Sequence, residues 1–157
     1  MKVIFLDIDG VLNHNGCKEL FNGMYGVEDD RLDLLSKIVD ETHAAIVLAS
    51  SWKELWNQMP MNSNSLDPMA LYLVNKLKSR GLHLTDRTTD PRRHQRGHGI
   101  KAWLRKVPEI ESWVVLDDEV FPDYEECGIG KHLIRTDSER GLTEKDAEKA
   151  IEILNGK

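Results

Sequence analysis

The sequence predicts an α/β fold, with a mainly parallel five-stranded sheet covered by helices in three layers. Five short apolar runs, Val3–Leu6, Ala44–Ala49, Leu82–Thr85, Trp113–Leu116 and His132–Ile134, do not alternate with polar residues. That texture suits strands buried on both faces. Helical patterns separate the runs, and strand–helix alternation implies right-handed crossovers and parallel pairing.

Taken in order, the first run leads directly into two carboxylates: "VIFLDIDGVLN" sets Asp7 and Asp9 at its carboxyl end. Gly10–Val27 has no clear period and three further glycines, and reads as a turn with a small hairpin. In Glu28–Thr42, Leu32, Leu35, Ile38, Val39 and Thr42 recur at helical spacing. The run "AAIVLA" is followed by Ser50 and Ser51, either of which could cap a helix beginning near Trp52. Trp52–Leu66 holds "NSNS", a surface turn. Trp52 and Trp56, four apart, suit the buried face of a helix or the floor of a pocket. Asp67-Pro68 reads as N-cap and first-turn proline, Leu71, Val74 and Leu77 form a stripe, and Gly81 stops it. Arg87–Gly99 is aperiodic. Ile100, Trp103, Leu104 and Val107 mark a third helix with Lys101 in its first turn, closed by Pro108. "WVVL" ends on Asp117 and Asp118. Thr143 with Asp146 forms a capping box ahead of Ala147, Ala150, Ile151 and Leu154. With no repeat, low-complexity tract or linker, residues 1–157 are expected to form one domain.

The totals narrow the function classes. The 157 residues are 40% apolar and 31% charged, as in an ordinary soluble globular chain. A net charge of −6 argues against wholesale coating of nucleic acid or anionic membrane. Cys17 and Cys127 show neither metal spacing nor a disulfide framework. The opening apolar run is too short for a signal peptide or membrane span, so a cytoplasmic protein is expected.

In a parallel sheet, ligands gather outside the carboxyl ends of the strands. Asp7, Asp9, Ser50, Ser51, Asp117 and Asp118 would share that edge, with Lys101 expected beside them. Two close carboxylates repel each other unless a cation, a proton or a substrate relieves them. Two acids, a hydroxyl, an ammonium and two more acids are the set that phosphoryl transfer requires. A carboxylate can attack phosphorus, Mg²⁺ takes oxygen ligands, and a lysine and a hydroxyl can hold phosphate oxygens.

These residues resemble those of the haloacid dehalogenase (HAD) superfamily of phosphohydrolases. "DIDGVL" is similar to its first motif, Ser50 to its second, Lys101 to its third and "VVLDD" to its fourth. More narrowly, "IVLASSW", "RGHGIKAWL", "VVLDDE" and "GLT" resemble the HAD domains grouped with Swiss Army Knife RNA repair proteins. The resemblance implies a Rossmann-like sheet of strand order 5-4-1-2-3, with little or no cap. It implies Asp7 as nucleophile and Mg²⁺ ligand, and Asp9 as general acid and base whose carbonyl also faces the metal. Ser50 would bind phosphate, and Lys101 would neutralise it. Asp118 would be the direct metal ligand, with Asp117 beside it. Because Asp9 is present, the resemblance points to phosphate rather than haloacid chemistry.

Arg87–Lys106 holds seven bases against one acid, a formal +6 that leaves −12 on the rest of the chain. Arg92, Arg93 and Arg96 are candidates for a basic rim that binds substrate, the alternative being a solvated loop. His94 and His98 find no further zinc ligand by spacing and read as surface histidines. Insertions are short: 42 residues from Ile8 to Ala49 and 15 from Ala102 to Leu116. An open site is therefore expected.

The reading is a Mg²⁺-dependent phosphatase forming an aspartyl-phosphate, acting on nucleotides or nucleic acid ends. Two alternatives stand beside it, namely turnover of small phosphorylated metabolites and a non-catalytic Mg²⁺- and phosphate-binding module. Expected partners are the phosphorylated substrate and no membrane, with the chain a monomer or weak homodimer.

Overall fold

The computed structural model describes residues 1–64 and 66–157. Ser65, the last residue of the expected "NSNS" turn, lies outside the described residues. Five parallel strands form the main sheet: β1 (Lys2–Leu6), β4 (Ala45–Leu48), β5 (Leu84–Arg87), β6 (Ser112–Asp117) and β7 (Leu133–Arg135), in the order β5-β4-β1-β6-β7. Counting only these five strands, this is the expected order read from the opposite edge. A separate hairpin pairs β2 (Leu20–Phe21) with β3 (Met24–Tyr25).

The period-2 alternation of a strand sorts the core. Val3 and Phe5 of β1 join Val47 and Val115 on the face covered by Ile100 and Trp103 of α3 (Arg96–Lys106). Ile4 and Leu6 join Ile46, Leu48, Val114 and Leu116 on the other face. There α1 (Asp29–Thr42), α2 (Pro68–Lys78) and α4 (Glu144–Leu154) pack. Both faces are covered, which is why the strands read as unbroken apolar runs. The α2 start uses Asp67 as cap on the Met69 amide, and α4 starts with the expected reciprocal Thr143–Asp146 box.

Several boundaries differ from the sequence reading, most by a residue or two. β5 begins at Leu84 rather than Leu82, because pairing starts at Ile46↔Leu84 and Leu82 is buried ahead of the ladder. As an edge strand β5 carries Thr85 and Asp86, and Asp86 accepts a hydrogen bond from the Trp103 indole at 2.8 Å. β7 runs one residue further, to Arg135. α3 begins at Arg96, not near Ile100. The distant Asp123 carboxylate accepts from the Gly97 and His98 amides at 3.1 and 2.8 Å, a cap that local sequence does not reveal.

After β4 the chain makes a 3₁₀ turn, Ser51–Trp56, whose N-cap Ser50 accepts from the Trp52 amide at 3.2 Å. Between β1 and β4 stand the hairpin and α1, with no inserted domain. Among the described residues no helix is long and apolar enough to cross a membrane.

Candidate active site

Val3 and Phe5 face α3, so the next odd position, Asp7, faces it too; the same parity sends Asp117 there after Val115. β1 and β6 are neighbours with Leu6 opposite Leu116, and the Asp7 amide extends the ladder to the Leu116 carbonyl at 2.9 Å. Two carboxylates therefore meet at the carboxyl edge beneath the amino end of α3. The first residue of α3, Arg96, answers them. Its Nη1 lies 2.8 Å from Asp117 Oδ2 and 3.5 Å from Asp7 Oδ2.

Asp117 is fully buried and satisfied by the protein. Besides Arg96, the Tyr124 hydroxyl donates to Oδ2 at 2.8 Å and the Glu119 amide donates to Oδ1 at 3.0 Å. The Arg96 guanidinium lies 4.1 Å above the Phe121 ring, and its Nε has no hydrogen-bond partner among the described residues. Asp118, half-buried, leans over the turn that follows Asp7. A Cβ on Gly10 would sit 2.3 Å from Asp118 Oδ2, and Gly10 has φ +79°, so this position requires glycine twice over.

Asp7, Asp117 and Asp118 each offer an oxygen within 4.8 Å of the others. Of these three carboxylates two face the one guanidinium, which leaves a formal local excess of two negative charges. Burial first, and the Asp117 charge second, push the Asp7 carboxyl well above the usual carboxylate range. Burial and Asp117 also raise Asp118. Burial opposes the charge on Arg96, but Asp7 and Asp117 outweigh it and hold the guanidinium firmly protonated. An oxygen-only donor set with a surplus of two charges fits a hard divalent cation.

Asp9 stands apart from this cluster and is exposed. Its Oδ2 accepts from the Trp52 indole at 3.1 Å and its Oδ1 from Asn13 Nδ2 at 3.0 Å. Asn13 also accepts from the Gly10 amide at 2.9 Å and donates to the Gly26 carbonyl at 2.9 Å, tying the Asp7–Gly10 turn to the hairpin exit. The sequence reading missed Trp52 as a donor to Asp9; its place just after the strand-end serines is the signal that could have shown it.

Next to the carboxylates lies a cavity of about 820 Å³, with Arg96 and Phe121 in its wall. Arg92 and Arg93 line it, both exposed, and so does Ser51. Ser50 is buried instead, two residues beyond the end of β4. Lys53, also missed by the sequence reading, lines the cavity. Its Nζ lies 2.9 Å from both Thr88 Oγ1 and Asp90 Oδ1, and burial lowers its pKa despite Asp90.

The structure does not bring Lys101 to this edge. Lys101 shares a groove with Glu111, Ser112 and Trp113, at the start of β6, whereas the carboxylates follow its end. Arg96 comes a turn and a half earlier in α3 and supplies the cation instead, because the helix starts four residues sooner than its apolar stripe suggests.

Residues 3–147 match the family described as the HAD domain in Swiss Army Knife RNA repair proteins. The chain belongs to this HAD family. Among curated proteins and among solved structures, none matches it significantly. As a HAD domain it falls among hydrolases of the phosphatase type, which generally use Mg²⁺, and the Asp7–Asp117–Asp118 cluster is suited to such an ion.

Proposed function

We propose that this HAD domain is a Mg²⁺-dependent phosphomonoesterase working through an aspartyl-phosphate on Asp7, with a nucleotide or nucleic acid end as substrate. The observation that carries the reading is the meeting of Asp7, Asp118 and Asp117 with Arg96, whose spare Nε–H adjoins a basic cavity.

An Asp7 oxygen attacks phosphorus while the bond to the leaving oxygen breaks, and Asp9 gives that oxygen its proton. Asp9 then takes a proton from water, whose oxygen attacks the same phosphorus and releases Asp7 and inorganic phosphate. Asp7 and Asp118, with the Asp9 carbonyl, would hold Mg²⁺, which when bound would supply the positive charge that keeps Asp7 a carboxylate and offsets the phosphate. Asp117 orients Arg96, and Arg96 donates to the phosphate oxygens. The Ser50 hydroxyl, its oxygen fixed by the Trp52 amide, donates to phosphate, and Ser51 contacts substrate in the cavity wall. Arg92 and Arg93 hold a second phosphate or the backbone of an oligonucleotide, which favours nucleic acid over a small metabolite and accords with the RNA repair proteins that give the family its description.

Hydrolysis of a generic aryl phosphate, with and without Mg²⁺, tests the reading. Turnover should require the metal and vanish in Asp7→Asn. Equal rates in that variant reject the nucleophile; metal and phosphate binding without turnover in the unaltered protein would favour a non-catalytic module.

A further inference from the structure

We propose that His98, Asp123 and Cys127 form a second metal site, separate from the carboxylate cluster and suited to a borderline divalent ion such as Zn²⁺. His98 Nδ1 lies 2.8 Å from Asp123 Oδ2, and the ligand atoms of all three residues lie within 4.8 Å of one another. Spacing along the chain conceals this group, since Asp123 and Cys127 follow His98 by more than twenty residues. Folding brings them together in two steps. The Cys127 amide bonds the Asp123 carbonyl at 3.1 Å, closing one helical turn that puts both side chains on one side. The Asp123 carboxylate then anchors on the Gly97 and His98 amides, with Gly97 packed so closely that a Cβ would sit 2.9 Å from Asp123 Oδ1.

Capping α3 explains Asp123 alone. It does not call for an imidazole and a thiol beside it, nor for the carboxylate beyond. The other ring nitrogen, His98 Nε2, faces Glu126 Oε1 at 3.9 Å. A metal-bound histidine usually gives its distal N–H to a carboxylate, and Glu126, at ion-pair rather than hydrogen-bond distance, stands on that side. Asp123 and Cys127 are buried, and Cys127 is a free thiol. Nitrogen, oxygen and sulfur donors together suit Zn²⁺ rather than Mg²⁺, and three protein ligands leave a fourth position for water. Binding sends the thiol proton to solvent.

The ion would clamp the 121–127 segment to the start of α3. That segment supplies Phe121 beneath Arg96 and Tyr124 against Asp117, so the clamp would steady both. The site does not depend on the phosphatase reading.

Cobalt(II) added to metal-free protein tests it. One equivalent should give an intense near-ultraviolet thiolate charge-transfer band with tetrahedral visible absorption, displaced by Zn²⁺. Asp7→Asn and Cys17→Ser should keep the band, Cys127→Ser should lose it, and His98→Ala should weaken binding at least about tenfold. Zn²⁺ should raise the melting temperature of the unaltered protein. Cobalt binding without a thiolate band in the unaltered protein, or a band that survives in Cys127→Ser, overturns the proposal; the first needs no variant to fold.

Discussion

Asp7 carries a cost that the fold does not itself remove. Its carboxyl is raised by burial and then by Asp117, so between the unfolded value near 3.8 and the higher folded value the native protein binds the extra proton. Metal-free stability from this group is therefore fully present below the unfolded value and is lost as pH climbs through the folded one. Thermal unfolding in chelator should show the melting temperature falling over that window more steeply than in Asp7→Asn, and Mg²⁺ should restore it at neutral pH. A parallel course in both proteins would remove Asp7 as the source. Arg96 and Lys101 make a second contrast. Arg96→Lys keeps a buried charge opposite Asp117 yet loses the planar donor fork, and kcat should drop about 100-fold. Lys101→Ala, at the far end of β6, should leave kcat unchanged. The sequence made the acids legible, since they directly follow apolar runs. It misplaced the cation, because a lysine near the start of an apolar stripe has nothing to distinguish it from an arginine one turn and a half earlier.

The elements that hold the site explain that miss. "RGHG" at the start of α3 contains two glycines, poor helix formers, and the helix forms there because Asp123 supplies the cap from another segment. No local pattern could reveal it. The Thr143–Asp146 box and the Asp67-Pro68 start were legible because both partners lie within four residues. After β4, the short 3₁₀ turn swings Trp52 onto Asp9. Trp52→Phe keeps most of the buried surface and removes one donor to the acid. Its kcat should fall about tenfold with the melting temperature little changed. A lower rate that simply tracks a lost melting temperature would make Trp52 a packing residue only. Gly10→Ala should be far more damaging, since its Cβ would occupy the place of the Asp118 carboxylate; loss of Mg²⁺ affinity in a folded variant is the measurement.

Across the molecule, a chain of net −6 sets Lys53, Arg87, Arg92, Arg93 and Arg96 around one cavity beside the strand-end carboxylates. The parallel sheet was legible because strands and helices alternate, its strand order only through the family resemblance, and the short insertions leave the edge open. Open access together with exposed Arg92 and Arg93 suits a long anionic substrate. Replacing both with alanine should weaken oligonucleotide turnover and lower the salt slope by one or two phosphate contacts. Hydrolysis of a small aryl phosphate should change little, so an equal loss on both substrates would confine the arginines to a structural role.

Everything rests on phosphorus becoming bonded to a strand-end carboxylate. Acid quenching during turnover, followed by mass mapping of the peptide that contains Val3–Asn13, looks for that bond directly. One added phosphoryl group on Asp7, dependent on Mg²⁺ and absent in Asp7→Asn, is the result predicted; steady turnover with no modified Asp7, or with the group on another residue, contradicts it.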